Sequence, residues 1–301
     1  MMASLPNVRL ARFVVLGTAM AIVAAAACSD VPSDPNTPFS IEFNRASSPS
    51  VVLGEAMFDS LGNPAPLTAR VFNAKGEEIV GAEVTYHVVA YGNVDSTNPA
   101  FVDSVPLTVD AATGIVTGKT APVYATKTAR VFAQAGKLQS QTVIVTATRH
   151  ADTLLAAGSL TDSLMLSFLN TDSLLVSPSS GFAVRVRHTV GAVTAADSTV
   201  PAYLVRFAIV QPAGASSDTS YVMLTNGDRK RSALDTTDAS GNASRQIRIR
   251  RVNFPFDKAA GADGLVRDTI LVQASAYREG NQLVPGSGIT FRLIIKANGS
   301  Q

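Results

Sequence analysis

The stretch LTARVFNAKGEEIVGAEVTYHVV, residues 67–89, decides the fold class of this chain. Apolar and polar residues alternate in its first part, where Leu67, Ala69 and Val71 share one face, and they alternate again over residues 81–89. This alternation is typical of a half-buried β-strand. Because a polar, glycine-containing turn at residues 74–77 separates the two runs, we predict two strands joined by that turn.

Similar strand signals continue on both sides of this stretch, from residue 39 to residue 148. They recur at intervals of about ten to fifteen residues, with turn residues between them and no convincing helical period. Seven or eight short strands of this kind predict an antiparallel β-sandwich over residues 39–148.

The remaining residues, 149–298, repeat the same order of signals. Residues 182–187 match residues 67–72, the Asp-initiated glycine turn at 237–243 matches 109–114, and two closing apolar runs follow. The offset between the copies grows from about 115 to about 140 residues, which indicates a duplicated domain with loop insertions. For residues 160–176 strands are the preferred interpretation, and a short helix with Leu160, Leu164 and Phe168 on one face is the alternative.

The three segments LTARVFNAKGEEIVGAEVTYHV, VDAATGIVTG and KTARVFAQAGKLQSQTVIV carry a family resemblance. Together they resemble the bacterial immunoglobulin-like domains of invasin- and intimin-type proteins, and "DTTDASGNASRQIRI" and "DTILVQASA" extend the resemblance into the second half. The resemblance implies an all-β fold of two tandem immunoglobulin-like sandwiches. It also implies a stalk, spacer or adhesion module at a cell surface, without carrying over a receptor-binding role.

The N-terminus has the organisation of a cleaved export signal. Arg9 and Arg12 precede an uncharged apolar run, residues 13–27, in which Ala25, Ala26 and Ala27 stand directly before Cys28. About 15 apolar residues are too few for a membrane span, which needs roughly 20. The small residues followed by Cys28 resemble the lipobox of bacterial lipoproteins, although that family prefers leucine where Ala25 stands, and ordinary secretion is the alternative.

The lipobox resemblance implies a signal peptide over residues 1–27 and a lipid-modified Cys28 as the new N-terminus. More than one acyl chain gives stable anchoring, whereas a single chain binds only marginally. Ser29 after the cysteine implies sorting to the outer membrane in a two-membrane bacterium. Residues 28–38, with three prolines and no apolar period, predict a flexible tether between the lipid and the first sandwich.

Composition excludes several function classes. The chain has 25 basic and 23 acidic residues, a balance that argues against nucleic acid as a partner. Cys28 is the single cysteine, so no disulfide framework is available and the sandwiches depend on core burial.

The sequence offers only weak candidates for catalysis and metal binding. His87, His150 and His188 lie in separate elements with no acidic residue at ligand spacing, and no nucleophile motif is present. Asp235 and Asp238 lie near Gly241 in a loop where calcium is an alternative, but no bidentate acidic residue follows at EF-hand spacing, and the same residues favour a turn on structural grounds. We therefore predict no enzyme activity, no metal and no cofactor.

Two segments of the second half are candidates for partner binding. Arg248 and Arg250 share one face of a predicted strand, with Ile247 and Ile249 on the other; a solvated, edge-protecting face is the alternative. Phe254 and Phe256 lie in a long polar loop over residues 253–267, where a partner-binding loop and a plug closing the end of the sandwich are both open.

The sequence as a whole predicts a non-catalytic, lipid-anchored protein of the cell envelope with a structural or adhesive role. Its partners would be membrane lipid, through the acylated N-terminus, and a surface protein or glycan. The alternative is a ligand-binding envelope subunit that captures a carbohydrate or a protein, although the absence of tryptophan weakens a sugar-stacking platform.

Overall fold

The computed structural model of the chain describes residues 34–44, 48–91, 105–166, 174–176, 181–189, 198–212, 221–224, 232–250, 254 and 260–298. Regular structure in these ranges consists of β-strands and two single-turn 3₁₀ segments, Pro122–Tyr124 and Glu279–Asn281. None of the described segments forms an apolar helix of membrane-spanning length.

The first half of the described chain contains nine strands. They are β1 (Ser40–Phe43), β2 (Ser50–Val52), β3 (Ala69–Phe72), β4 (Thr85–Ala90), β5 (Leu107–Val109), β6 (Val116–Gly118), β7 (Thr128–Ala135), β8 (Leu138–Gln139) and β9 (Val143–Thr148). One sheet has the order β2-β9-β7-β4, with β8 also paired to β7, while β1 pairs with β3 and β5 with β6.

The second half contains thirteen strands. They are β10 (Thr153–Ala156), β11 (Thr161–Leu166), β12 (Leu174–Val176), β13 (Phe182–Arg187), β14 (Leu204–Gln211), β15 (Val222–Leu224), β16 (Ser232–Thr236), β17 (Asn242–Arg245), β18 (Ile247–Arg250), β19 (Leu265–Ser275), β20 (Tyr277–Arg278), β21 (Gln282–Leu283) and β22 (Ile289–Asn298). The main sheet has the order β11-β22-β19-β14-β16. Smaller sheets have the orders β10-β13-β17, β12-β18-β15 and β20-β21.

The two halves share one strand order. β2-β9-β7-β4 in the first half corresponds to β11-β22-β19-β14 in the second. In both, the first pair is parallel and the next two pairs are antiparallel. The predicted all-β fold of two tandem sandwiches is confirmed, and β11 is a strand rather than the alternative helix. The boundary between the two sandwiches, predicted to lie between residues 148 and 149, stays a prediction.

Alternating apolar residues build two buried clusters. In β7 the buried Ala129, Val131 and Ala133 alternate with outward-facing residues, as the two-residue period of a strand requires. The first cluster also contains Leu67, and the second, larger cluster includes Phe207, Phe291 and Ile270. Each buried large apolar side chain contributes roughly 1.5–3 kcal/mol to stability.

A glycine turn recurs at the same place in both halves. Gly114 has a φ of +69° and Gly241 a φ of +78°, and their carbonyls accept hydrogen bonds from the amides of Leu67 and Val186, each 2.9 Å long. A Cβ atom at Gly241 would lie 2.7 Å from the Val186 carbonyl oxygen, and one at Gly114 would collide with the Leu67 carbonyl. The turns therefore require glycine for both conformation and space.

The carboxylates of the aspartates that begin these turns accept hydrogen bonds from backbone amides of the same turns. Asp110 Oδ1 accepts hydrogen bonds from the amides of Ala112 and Thr113, and Asp238 Oδ1 accepts from those of Ser240 and Asn242. Backbone donors lower the pKa of the exposed Asp110 carboxyl. The arrangement matches the structural interpretation of these aspartates as turn formers.

Replacement of Gly241 by alanine is expected to destabilise the second half by more than backbone conformation alone explains. Gly76 is the matched control, because its φ of +80° is similar and nothing lies near its missing Cβ. Gly76→Ala should lower the free energy of unfolding by about 1 kcal/mol, because alanine is strained in the left-handed conformation. Gly241→Ala should cost roughly 1–3 kcal/mol more through the carbonyl contact, measured by urea unfolding. Equal losses of unfolding free energy in the two variants would contradict the close approach of residue 241 to the Val186 carbonyl.

Candidate functional site

The structure describes only part of the predicted site. Cys28 and Phe256 lie outside the described residues, as does the side chain of Arg250. The prediction of lipidation at Cys28 therefore stays a prediction.

Phe254 is buried, as the interpretation of a plug closing the end of the sandwich requires, and partner binding by the loop over residues 253–267 stays a prediction. It is 4% exposed and packs edge-to-face against Tyr221, with ring centroids 5.6 Å apart and planes at 85°. The Tyr221 hydroxyl is itself hydrogen-bonded to Asp268 on β19. The alternative interpretation, in which this phenylalanine packs into the sandwich, describes its position.

Arg248 lies on the middle strand of a three-stranded sheet. Ile247 and Ile249 are fully buried, which confirms the predicted division of β18 into two faces. The edge-protecting interpretation is wrong, because β12 and β15 both pair with β18. Arg248 is half-buried, and its Nε has no hydrogen-bond partner in the described part of the chain.

Two histidines that the sequence places in separate elements share one carboxylate. His150 Nδ1 lies 2.8 Å from Asp152 Oδ1, and His188 Nδ1 lies 2.9 Å from Asp152 Oδ2. The amide of Thr189 also donates to Asp152 Oδ2, at 2.7 Å. The fold therefore gives these histidines an acidic partner that the search for ligand spacing in the sequence did not identify. The sequence feature that could have predicted the contact between His150 and Asp152 is their two-residue spacing, which places both side chains on one side of an extended chain.

Further charged residues complete what we call the junction cluster: Glu55, His150, Asp152, His188 and Arg278. His150 Nε2 lies 3.4 Å from Glu55 Oε1, so the cluster links the loop after β2 to the second half. Arg278 donates through Nε to the Ala151 carbonyl at 2.7 Å, and its Nη2 lies 3.6 Å from Asp152 Oδ1. Asp152 thus faces three cationic or titratable partners while only 11% of its side chain is exposed.

Burial dominates the electrostatics of Glu55. Desolvation raises the pKa of its carboxyl, His150 and Arg278 oppose that shift, and Glu279 adds to it. Its Oε2 is buried and has no hydrogen-bond partner among the residues that the structure describes. Burial beside Glu55 also raises the pKa of Tyr203, whose hydroxyl donates to the Tyr277 carbonyl at 2.6 Å. The cluster therefore concentrates charge in a poorly solvated contact.

The junction cluster has the composition of a structural ion-pair network. Within the described ranges, no serine or threonine hydroxyl is hydrogen-bonded to His150 or His188, and no group of three or more His, Cys, Asp or Glu residues is arranged to hold a metal ion. Two neighbouring hydrogen bonds also join the halves. Ser50 Oγ donates to the Ala202 carbonyl at 2.6 Å, and Thr148 Oγ1 donates to the Pro201 carbonyl at 2.7 Å.

A second candidate lies on the outer side of sheet β2-β9-β7-β4. We call it the aromatic face and define it by Val89, Tyr91, Arg130, Phe132 and Ile144. Val89, Tyr91 and Ile144 are 42%, 51% and 48% exposed. Val89, Arg130 and Ile144 form one cross-strand row, since Arg130 pairs with both neighbours in register. In the adjacent row, the ring of Phe132 stacks on that of His87, with centroids 5.2 Å apart.

Arg130 is the central cation of the aromatic face. Its guanidinium carbon lies 4.9 Å from the centroid of the Tyr91 ring, a cation–π contact. No carboxylate of the described residues lies within ion-pair distance of it. The signal for this face was present in the sequence, because the strands place valine, phenylalanine and isoleucine on the side opposite the core.

Comparisons with known proteins identify no family. No family model matches the chain, and no curated protein matches it significantly. Solved structures that are similar to it include the adhesin InvE of Yersinia pseudotuberculosis, at 13% identity and a TM-score of 0.28, covering 85% of this chain and 58% of that one. Domains 4–9 of the surface layer protein SbsC match at 12% identity and a TM-score of 0.26, covering 88% and 31%.

A chimeric titin Z1Z2 structure also matches, at 13% identity and a TM-score of 0.25, covering 88% of this chain and 100% of that one. This chain thus spans 58% of the adhesin structure and 31% of the surface layer structure. At these identities and TM-scores the likenesses carry no functional argument.

The stability contributed by Glu55 is expected to fall as pH rises. Since burial raises the pKa of this carboxyl above the ordinary value of 4.5, the folded chain holds the proton more tightly than the unfolded chain. The resulting stabilisation is present below the ordinary pKa and is lost as pH rises through the folded pKa. The melting temperature of Glu55→Gln should therefore rise relative to that of wild type as the pH increases from the ordinary pKa through the folded pKa.

Glu42→Gln is the control for this experiment, because Glu42 is an exposed carboxylate of β1 paired with Arg70. A difference in melting temperature between Glu55→Gln and wild type that stays constant across the pH range would contradict the proposed role of burial.

Proposed function

We propose that the chain is a non-catalytic adhesive or structural protein of the bacterial cell envelope, anchored to the outer membrane by lipid on Cys28. The N-terminal pattern around Cys28 supports the anchor. The paired β-sandwiches, which have no disulfide to depend on, support a role as a stable module held above the membrane. The observation that carries the adhesive part of the proposal is the aromatic face.

The composition of the aromatic face is that of a protein-binding surface. Interface centres are enriched in aromatic residues and arginine and depleted of lysine, aspartate and glutamate. The aromatic face has arginine, tyrosine, phenylalanine and aliphatic residues and none of the depleted types. Solvent exposure of such side chains on a strand marks a surface suited to a partner.

The partner that fits is a protein surface with a carboxylate set among apolar side chains. Arg130 supplies an unneutralised cation, so charge complementarity requires an acidic group opposite it. A symmetric contact between two copies through this face would instead bring two Arg130 side chains together. Like charges at a desolvated interface are unfavourable, which argues against a homodimer through this face.

The size of the aromatic face indicates a weak individual contact. Three strands about 4.8 Å apart, with outward residues in three rows that repeat every ~6.8 Å, give an area of about 300 Å². A stable interface buries about 800 Å² on each partner. Many copies anchored in one membrane would supply avidity, so a weak contact is sufficient for adhesion.

The anchor is tested by metabolic labelling with a clickable fatty acid and by membrane fractionation. Wild-type protein should take up label and pellet with membranes. Cys28→Ser should lose both, because the thiol is the acylation site of the proposed lipobox. A Cys28→Ser variant that fractionates with membranes as wild type does, with no label in either protein, would show that Cys28 is not an anchor.

The aromatic face is tested by a photo-crosslinking amino acid placed at Val89 in intact cells. We expect a discrete protein adduct, and we expect Arg130→Glu to abolish it by reversing the charge at the centre of the contact. Val80 is the matched control, because it is a 91% exposed valine outside the aromatic face. Equal adducts from both positions, or an adduct with the mass of two copies of this chain, would contradict the proposed partner.

A further inference from the structure

A cleft of about 350 Å³ lies on the outer side of sheet β10-β13-β17, and its lining residues belong neither to the junction cluster nor to the aromatic face. Its lining consists of Leu155, Ala156, Ala157, Arg185 and Arg187. The volume is within the range of sites for small ligands, at its lower end.

Strand geometry places the two arginines in this cleft. In β13 the side chains of Phe182, Val184 and Val186 are buried, so Arg185 and Arg187 lie on the opposite face. Being two residues apart on one strand, they repeat at a spacing of roughly 7 Å.

The neighbouring edge strand adds an apolar side to the cleft. Leu154 of β10 is buried, whereas Leu155 is 47% exposed and lies directly opposite Arg185 in the register. The cleft therefore combines two cationic side chains with a small apolar wall.

Both guanidinium groups are held by neutral acceptors. Arg185 donates through Nε to Asn242 Oδ1 at 2.7 Å, and Arg187 donates through Nη1 to Ser198 Oγ at 3.3 Å. Within the part of the chain that the structure describes, neither arginine has a carboxylate partner. Other arginines differ, since Arg70 and Arg245 form ion pairs with Glu42 and Asp235.

This arrangement leaves positive charge oriented but unneutralised. A guanidinium carries five N–H donors, so each of these groups retains donors after the single bond that orients it. Arginine pairs preferentially with planar or tetrahedral oxyanions, and bonds to such groups are roughly twice as strong as neutral ones. Because these hydrogen bonds already orient the two side chains, ligand binding costs less side-chain entropy.

We propose that this cleft binds the oxyanion of an anionic saccharide, with Arg185 and Arg187 holding the acidic group and Leu155 contacting the apolar face of the sugar ring. The proposal is independent of adhesion through the aromatic face. A protein held on anionic lipid headgroups generally uses a cluster of 4–8 basic residues, whereas this cleft has two arginines. A concave site for one acidic group suits a saccharide better than a flat bilayer.

The test is calorimetric titration of the full chain, solubilised in detergent, with trigalacturonate as the probe. We expect saturable binding to wild type. Arg185→Gln and Arg187→Gln should each raise the Kd by about tenfold or more, since each removes a charge-assisted hydrogen bond. The neutral methyl ester of trigalacturonate should not bind.

Two further variants separate the site from net charge and from folding. Arg70→Gln removes one exposed positive charge elsewhere and should leave the Kd unchanged. Leu155→Asp keeps both arginines but places a carboxylate opposite Arg185, so it should abolish binding while unfolding at the wild-type temperature.

Three outcomes would overturn the proposal. The first is an absence of trigalacturonate binding to wild type, and the second is a loss in Arg70→Gln equal to that in Arg185→Gln. The third is binding of phosphatidylglycerol vesicles by the full chain that depends on Arg185 and Arg187 and is not competed by trigalacturonate, which would assign the cleft to lipid phosphate.

Discussion

The parallel pairing of the first and last strands of the main sheet in each half is the constraint on which the rest of the structure depends. β2 lies beside β9, and β11 beside β22. Parallel neighbours cannot be joined by a tight hairpin, so the strands between them must cross to other positions before the chain returns. In the first half, this closing pair also carries the link to the second half, because Ser50 on β2 and Thr148 on β9 donate to the Ala202 and Pro201 carbonyls.

The contact between the halves combines apolar burial with a charged cluster. Val52 and Phe58 belong to the buried cluster that the second half builds, and the ring of Phe58 packs edge-to-face on Tyr203. Beside them, Asp152 is held by histidines, a backbone amide and Arg278. A carboxylate removed from water is costly unless donors compensate it, and here the donors come from several segments at once. Charge and packing therefore favour the same relative placement of the two halves.

The exposed faces of the same sheets provide the candidate binding surfaces. Strand alternation buries one set of residues and necessarily displays the other, so the core and the outer face are built by one pattern. On β7 the displayed set includes Arg130 and Phe132, and on β13 it includes Arg185 and Arg187. Neutral neighbours orient these arginines, and no carboxylate of the described residues neutralises them. Among the described residues, strands therefore carry the candidate binding surfaces.

The sequence by itself determined the all-β class, most strand positions and the recurring glycine turns, because alternation and turn chemistry are local properties. Even the faces of β18 were predictable from Ile247 and Ile249. Only the tertiary structure decided that β18 is a central strand, that Phe254 is buried, and that His188 reaches Asp152. Those facts depend on which distant strands become neighbours, and a local pattern holds no information about the partner across a sheet or a junction.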